Sequence, residues 1–462
     1  MTVSHLPRGL RRTPCCAAAL VLLGVVTAAG AQTLEPAAGP AETPPPGPTQ
    51  LAAPAAADAR DSVPWYIGIN QNFTRESNVL RAPDNGTLPV VSDSYSLTTL
   101  LAGFDQPFGR QRVYANAAVR SQAYKTNDQL DNNGYGINLG LDWSTIERLS
   151  GRLAVTSNRT AVSPADAPGL PSSTEDSNQI EALVRLGLVT RLAIEAEFIN
   201  RKVDYSDARF APREFNQNSV ALGLRYRFSD LLSAGVGLRT TKAKYPRYGV
   251  DATTGAAIED ELDRNDLDIT AEWTPSPITS LAGRVSFGKS EYLQSASRDY
   301  NGGTGYVTWT WRPTSKLSFA TTASRESGQE NSLLPGASTT SVGSGTGTTT
   351  DLSNLRSSDS SRVTTSLGLA TTFAATAKIN INAAARVDRR TLVESVLPGS
   401  GPVTVQSGSD TTQTLSVGFS WLPTRSITVG CNVGRESRST DSTLSSEFSS
   451  NVAGCFGQFM LR

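Results

Sequence analysis

Apolar and polar residues alternate one for one over runs of about ten residues, and such runs recur along most of the chain. Between Tyr135 and Trp143 the apolar set is Tyr135, Ile137, Leu139, Leu141 and Trp143, against Gly136, Asn138, Gly140 and Asp142. Leu267, Ile269, Ala271 and Trp273 oppose Asp266, Asp268, Thr270 and Glu272. Ile379, Ile381, Ala383, Ala385 and Val387 oppose Lys378, Asn380, Asn382, Arg386 and Asp388. Val220, Leu222, Leu224, Tyr226 and Phe228 oppose Arg225 and Arg227, while Leu415, Val417, Phe419 and Trp421 oppose only Ser, Thr and Gly. A period of two predicts strands with one apolar face, and about ten residues is the length at which a tilted strand crosses a bilayer. Past the N-terminal region no run approaches 18 consecutive apolar residues, so membrane helices are not expected.

A soluble sandwich shows the same alternation. Three features favour a membrane barrel. Connections alternate between short ones (Thr145 to Arg148, Ser229 and Asp230, Pro275 to Pro277, Pro313 to Ser315) and long ones (76–93, 160–175, 243–262, 327–358, 392–408, 436–448). That is the barrel habit of short periplasmic turns and long extracellular loops. Strands nearing the short turns end on an aromatic, namely Phe104, Trp143, Phe228, Trp273, Trp311, Phe373 and Trp421, which would form an interfacial girdle. The turns at Trp273, Trp311 and Trp421 share a proline two residues on. Their spacing of roughly 40 residues also suits a propeller blade, the structural alternative. The predicted fold is all-β: a transmembrane antiparallel up-and-down β-barrel of about 18 strands (16–18). The run from Leu97 to Phe104 leaves its face undecided.

The N-terminus reads as an export signal. Arg8, Arg11 and Arg12 precede an apolar stretch from Cys15 to Ala28, and Ala29-Gly30-Ala31 forms a cleavage site. A twin-arginine signal at Arg11-Arg12 lacks its flanking motif, and Cys15 and Cys16 lie at the wrong end for a lipoprotein. Residues 1–31 are thus read as signal peptide, 32–63 as an Ala/Pro-rich disordered periplasmic linker, and 64–462 as the barrel. The expected location is the outer membrane of a Gram-negative bacterium.

Composition narrows the function. Apolar residues make up 38% and net charge is zero, so no basic field argues for nucleic acid. The single histidine, His5, falls in the signal. Histidine-dependent triads and the commonest zinc ligand are then out of reach of the mature chain. No metal, cofactor or enzyme activity is expected. The sequons at Asn72, Asn85 and Asn158 read as chance, and the Gly/Ser/Thr run at Gly343 lacks the lysine of a phosphate loop.

If the aromatic face meets lipid, the opposite face lines the lumen. That assigns inward Arg120, Asp142, Arg152, Glu181, Arg185, Glu195, Glu197, Arg201, Arg225, Arg227, Arg239, Asp266, Asp268, Glu272, Arg284, Arg386 and Asp388. Such a wall can set ion selectivity or bind a sugar polymer, or its charges can simply pair across strands. Glu195 with Glu197, and Asp266 with Asp268, share a strand face about 7 Å apart, loosely compatible with a glycosidase pair; alternation produces such pairs without selection. Cys431 and Cys455 lie on the apolar phase of the last two strands, at similar height. A cross-strand disulfide or two buried thiols would both fit. The 327–358 loop is a candidate to fold into the lumen, against an external disordered loop.

The opening run WYIGINQNFTRESNVLR from Trp65 to Arg81, the turn DQPFGRQR from Asp105 to Arg112 and the ending CFGQFMLR from Cys455 to Arg462 resemble the beta-barrel porin 2 family. Within it they resemble the EpsL-type outer-membrane proteins of exopolysaccharide biosynthesis. The resemblance implies a passive conduit or accessory component in exopolysaccharide export, with outer-membrane lipid, polysaccharide and export-machinery proteins as partners. It carries over no catalytic residue. The long 327–358 loop and the Leu461-Arg462 ending depart from the family pattern. The alternatives are a general diffusion porin and a structural or surface-interaction barrel with an occluded lumen. No sequence feature marks a subunit interface.

Overall fold

The computed structural model describes residues 64–461, apart from 84–85, 87, 147, 163–171, 190, 251–253, 255, 295–297, 328–362, 397–403 and 442–444. The signal, the linker, the sequon at Asn85 and most of the 327–358 loop lie outside the described residues.

Eighteen strands follow one another: β1 (Trp65–Glu76), β2 (Asp93–Phe108), β3 (Gln111–Tyr124), β4 (Asn132–Ser144), β5 (Leu149–Ala161), β6 (Thr174–Val189), β7 (Leu192–Tyr205), β8 (Phe215–Ser229), β9 (Leu232–Val250), β10 (Ala257–Ser276), β11 (Thr279–Tyr292), β12 (Tyr300–Trp311), β13 (Leu317–Ser327), β14 (Val363–Ala374), β15 (Ile379–Val396), β16 (Thr404–Trp421), β17 (Ile427–Thr440) and β18 (Phe448–Leu461). Each pairs antiparallel with the next, and β1 closes on β18 with Phe73 opposite Cys455. Closure leaves no sheet edge, so every strand's backbone finds partners inside the protein, as a hydrocarbon surround demands.

The two faces separate by chemistry. On β18, Asn451, Ala453, Cys455, Gly457, Phe459 and Leu461 are exposed while the alternate positions are buried. The buried, polar face is the concave one. Arg264 of β10 reaches Thr304 of β12 at 3.1 Å and Ser327 of β13; side chains can meet across two or three strands only inside the curve. Leu97 and Leu101 share the inward phase with buried Thr99, while Leu100 points out. The outward face bears a continuous apolar belt, including Leu222, Val236, Leu238, Leu267, Val285 and Val417, all exposed. This belt contacts membrane lipid, and the barrel resides in an outer membrane.

The aromatics Phe104, Trp143, Phe228, Trp273, Trp311, Phe373 and Trp421 all stand in the outward phase at the short-turn ends of their strands. Trp311 stacks on Trp309 at 5.8 Å and on Phe319 at 5.4 Å. A girdle position suits such rings, which are apolar in body and polar at the tip.

The long-loop ends differ from expectation. The stretches 243–262, 392–408 and 436–448 are largely strand, leaving only 251–256, 397–403 and 441–447 between strands. On β9 and β10 the alternation continues with charges outward in place of apolar residues. Lys244 bonds Glu261 at 2.7 Å and Lys242 bonds Asp263 at 3.1 Å across β9 and β10. A reading keyed to apolar residues stops where the membrane stops; hydrogen-bonded pairing does not. Two other connections carry short 3-10 turns, Asp128–Leu130 and Ala208–Arg213.

Cys431 stands opposite Cys455 in the β17–β18 register, and the two form a disulfide. It closes the last hairpin beside the β18–β1 seam. Replacing both cysteines by alanine is expected to lower unfolding stability by up to about 3 kcal/mol, chiefly by freeing the unfolded chain. The urea midpoint of the folded barrel, with and without reductant, checks this; equal midpoints would show that the bond contributes nothing.

Candidate functional site: the barrel interior

All the charged residues assigned inward from the sequence fall on the concave phase of their strands. Near the short turns they form a ladder of alternating sign running from strand to strand. Arg112 donates to Asp105 at 2.6 Å and lies 3.6 Å from Asp142; Arg152 donates to Asp142 at 2.9 Å. Farther round, Arg185 and Arg225 both donate to Oε1 of Glu195 at 2.7 Å, and Arg225 also donates to Glu272 at 3.0 Å. The sequence dictates this because most of these strands offer a charge at similar depth, so neighbours meet at cross-strand spacing; β9, with Ser233 and Gly235 inward, offers none, and Arg225 reaches Glu272 across it.

Exposure falls steeply with depth. At the short-turn end the Arg152 and Glu272 side chains are 49% and 55% exposed. In the long-loop half, Arg264 and Asp266 are 1% and 0% exposed. Here Asp266 accepts from Arg264 at 2.8 Å and lies 3.4 Å from Arg239, which donates to Asp268 at 2.9 Å and to Ser286 at 3.3 Å. Arg390 pairs with Asp410 at full burial, and Arg386 donates to Asp388 at 2.8 Å. Buried guanidinium–carboxylate pairs persist only with close geometry and further hydrogen bonds, and these have both.

Two connections fold inward over this half. Residues Asn78 to Ala82 are held by the Asn78 side chain, which donates to Ala82 O at 2.8 Å and accepts from Ala82 N at 2.9 Å. Arg81, at φ 52°, donates to Glu76 and to Glu436 of β17 (3.2 Å) and lies over the Phe448 ring. A left-handed arginine is costly, and two buried carboxylates over-determine it. The second is Ala208–Arg213, whose Phe210 is buried with Tyr205, Phe215, Tyr245 and Leu262. Arg298 caps this cluster, 4.2 Å from the Tyr292 ring centroid and 3.3 Å from Asp260.

The wall is lopsided. From β12 to β16 the inward residues near the short turns are uncharged: Thr308, Ser318, Thr322, Thr372, Asn380, Asn382, Ser416 and Ser420 are joined by Ala320, Ala370 and Ala384 in one cross-strand row. Inward apolar residues also occur. Tyr66, Leu101, Ala118 and Met460 cluster at the closing seam, which a polar-lumen expectation misses.

Of the two carboxylate pairs, Glu195 is held by two arginines and Asp266 and Asp268 by Arg239 and Arg264. These three anions, so committed, are poor general acids or nucleophiles, while Glu197, on the same face as Glu195, forms no ion pair among the described residues. Sequence reasoning missed Arg81, Arg264, Arg298, Arg390, Asp410, Glu436 and Arg438. Their signal was present: Arg264 and Arg390 continue the phase of Asp266 and Asp388 by one step, just past the runs of strict alternation and short of the stretches read as loop.

No family model matches this chain, and neither does any curated protein. Among solved structures, OpdK of Pseudomonas aeruginosa with vanillate is similar at 10% identity and TM-score 0.42, over 86% of this chain and 98% of that one. OccAB4 of Acinetobacter baumannii is similar at 10% identity and TM-score 0.41, over 87% and 100%. The siderophore receptor PirA of Acinetobacter baumannii is similar at 8% identity and TM-score 0.38, over 86% and 80%. The assignment of an 18-stranded outer-membrane barrel rests on this chain's own strand pairing and apolar belt.

Proposed function

We propose that the chain is a restrictive outer-membrane porin, a passive channel for small polar solutes with no chemistry of its own. The observation that carries this reading is the gradient along the concave wall. Half-exposed charged side chains line the short-turn half, and buried ion pairs and inward-folded connections narrow the long-loop half. A wide, wet vestibule leading to a charged constriction selects by size and charge rather than by a dedicated ligand. The test is conductance of the full-length mature protein in planar bilayers, with liposome swelling by mono- and disaccharides. Small, steady conductance with swelling by the smaller sugars supports the reading, and no conductance sinks it.

A second reading, a structural barrel with an occluded lumen, draws support from the Arg81 latch. If the 78–82 segment governs the opening, Arg81→Ala releases it from Glu76 and Glu436. Single-channel conductance should then rise by about twofold or more, since removing one partner of a buried pair abolishes its hold. Unchanged conductance would separate the segment from gating. The exopolysaccharide conduit implied by the resemblance finds its surface in the hydroxyl and amide wall of β12 to β16. Under that reading an added neutral polysaccharide blocks the current; under the porin reading the polymer leaves it unchanged.

A further inference from the structure

On the outward face, just beyond the apolar belt at the long-loop end, many of the strands carry a charged residue. From β5 to β11 these neutralise one another. Arg159 bonds Asp176 at 2.7 Å, Lys202 bonds Asp204 at 2.8 Å, Lys244 bonds Glu261 at 2.7 Å, and Lys289 bonds Glu291. From β13 round to β1 the same level carries Arg325, Arg389, Arg435 and Arg75, all exposed. Among the described residues none of these four is ion-paired with a carboxylate, and no strand position of that arc points an acid outward at this level. Among the described residues Arg325 donates to Thr365 at 3.3 Å. The acid that Arg389 feels, Asp441 in the β17–β18 connection, is committed to Ser409 at 2.6 and 2.8 Å.

We propose that this arginine arc binds the phosphorylated headgroup of the anionic glycolipid of the outer leaflet, with short turns periplasmic and long loops external. Arg389, Arg435 and Arg75 stand on β15, β17 and β1, successive strands but one. Arg435 is offset four residues along its strand from the position level with Arg389, and Arg75 two residues from the position level with Arg435; with two strand spacings in each step, the backbone separations are about 16 and about 12 Å, so two phosphates on one disaccharide headgroup can be held by different long arginine side chains. Guanidinium forks match phosphate bidentately and shed water more readily than ammonium. The self-paired arc uses mainly lysine, whereas the open arc uses arginine throughout. Directly below, the outward residues of β18 are small (Ala453, Cys455, Gly457) between exposed Val433 and Phe73, which leaves room for acyl chains beside the headgroup. Basic residues at the membrane surface attract anionic lipid in general; the arc's restriction to one side predicts bound lipid on that side.

The test uses the full-length mature protein in detergent, titrated with diphosphoryl lipid A, monophosphoryl lipid A and phosphatidylglycerol, with retained lipid read by native mass spectrometry. Wild type should retain diphosphoryl lipid A at about tenfold lower concentration than phosphatidylglycerol, with the monophosphoryl form between. The R75Q/R389Q/R435Q variant should lose that preference to within about twofold, and the opposite-arc K202Q/K242Q/K244Q variant should keep it. Equal retention of phosphatidylglycerol by wild type would overturn the proposal, as would an equal loss in both variants or an unchanged preference in the arginine variant. Heat-modifiable gel migration verifies folding. Should the triple variant fail to fold, R389Q and R435Q singly should each weaken lipid A retention about threefold, and no change in either would overturn the proposal.

Discussion

Asp266→Asn is expected to cost about 3–5 kcal/mol of folding stability, the range for removing one partner of a buried ion pair. Asp266 accepts from Arg264 at 2.8 and 2.9 Å and lies 3.4 Å from Arg239, with all three side chains closed to solvent. The substitution keeps the volume and removes the charge that Arg264 and Arg239 both face. Gly288 on β11 is part of the same arrangement: a Cβ there would sit 1.9 Å from Oδ1 of Asp266, so Gly288→Ala should act in the same direction. The control is Asp142→Asn. Asp142 also bridges two arginines, but both are about half exposed, and the loss should stay below about 1 kcal/mol. Asp266→Asn combined with Arg264→Met should recover part of the loss, because removing a whole pair is milder than orphaning one member. Urea midpoints at constant slope measure all four variants. Equal, small effects for Asp266 and Asp142 would mean that the outer half of the lumen is as wet as the vestibule.

Val236→Arg should destabilise by about 2–4 kcal/mol, the cost of a charge on the lipid face near the bilayer midplane. Val236 is exposed on β9, opposite Leu224 of β8 and Ile269 of β10. Four residues farther on the same face is Thr240, and then native Lys242 in an ion pair with Asp263. Thr240→Arg should therefore cost only about 0–1 kcal/mol, as expected near the interface. Refolding into lipid vesicles followed by denaturant titration gives both values. Equal costs at the two positions would move the membrane boundary from where the outward residues change character.

The membrane part of the barrel was legible because lipid imposes a simple rule. Outward positions such as Leu222, Val236 and Leu267 must be apolar, and the period of two leaves the alternate positions polar. Strand number, up-and-down order, the phase of Arg225 and Asp268, and the aromatic rim at Trp273 and Trp421 follow from that rule. Its reach ends at the bilayer surface. Beyond it β9, β10, β15 and β16 run on as strands whose outward residues are charged or polar, so the apolar alternation lapses there and Arg264, Arg390 and Asp410 fell outside the runs it marked. The facing of Cys431 and Cys455 needed only a similar height, and that both readings of the pair shared.

What the sequence by itself determined is the cylinder: which residues face lipid, which face inward, and the sense in which the strands run. What only the tertiary structure decided is the interior. Arg81 meets Glu436 across 355 residues of chain, Arg225 meets Glu272 across an intervening strand, and Phe210 turns in upon Tyr205 and Tyr245. The outward contacts are made with a uniform solvent and therefore obey a local pattern. The inward contacts are made between particular side chains brought together by closure, and their partners are fixed by curvature and register, which no local pattern encodes.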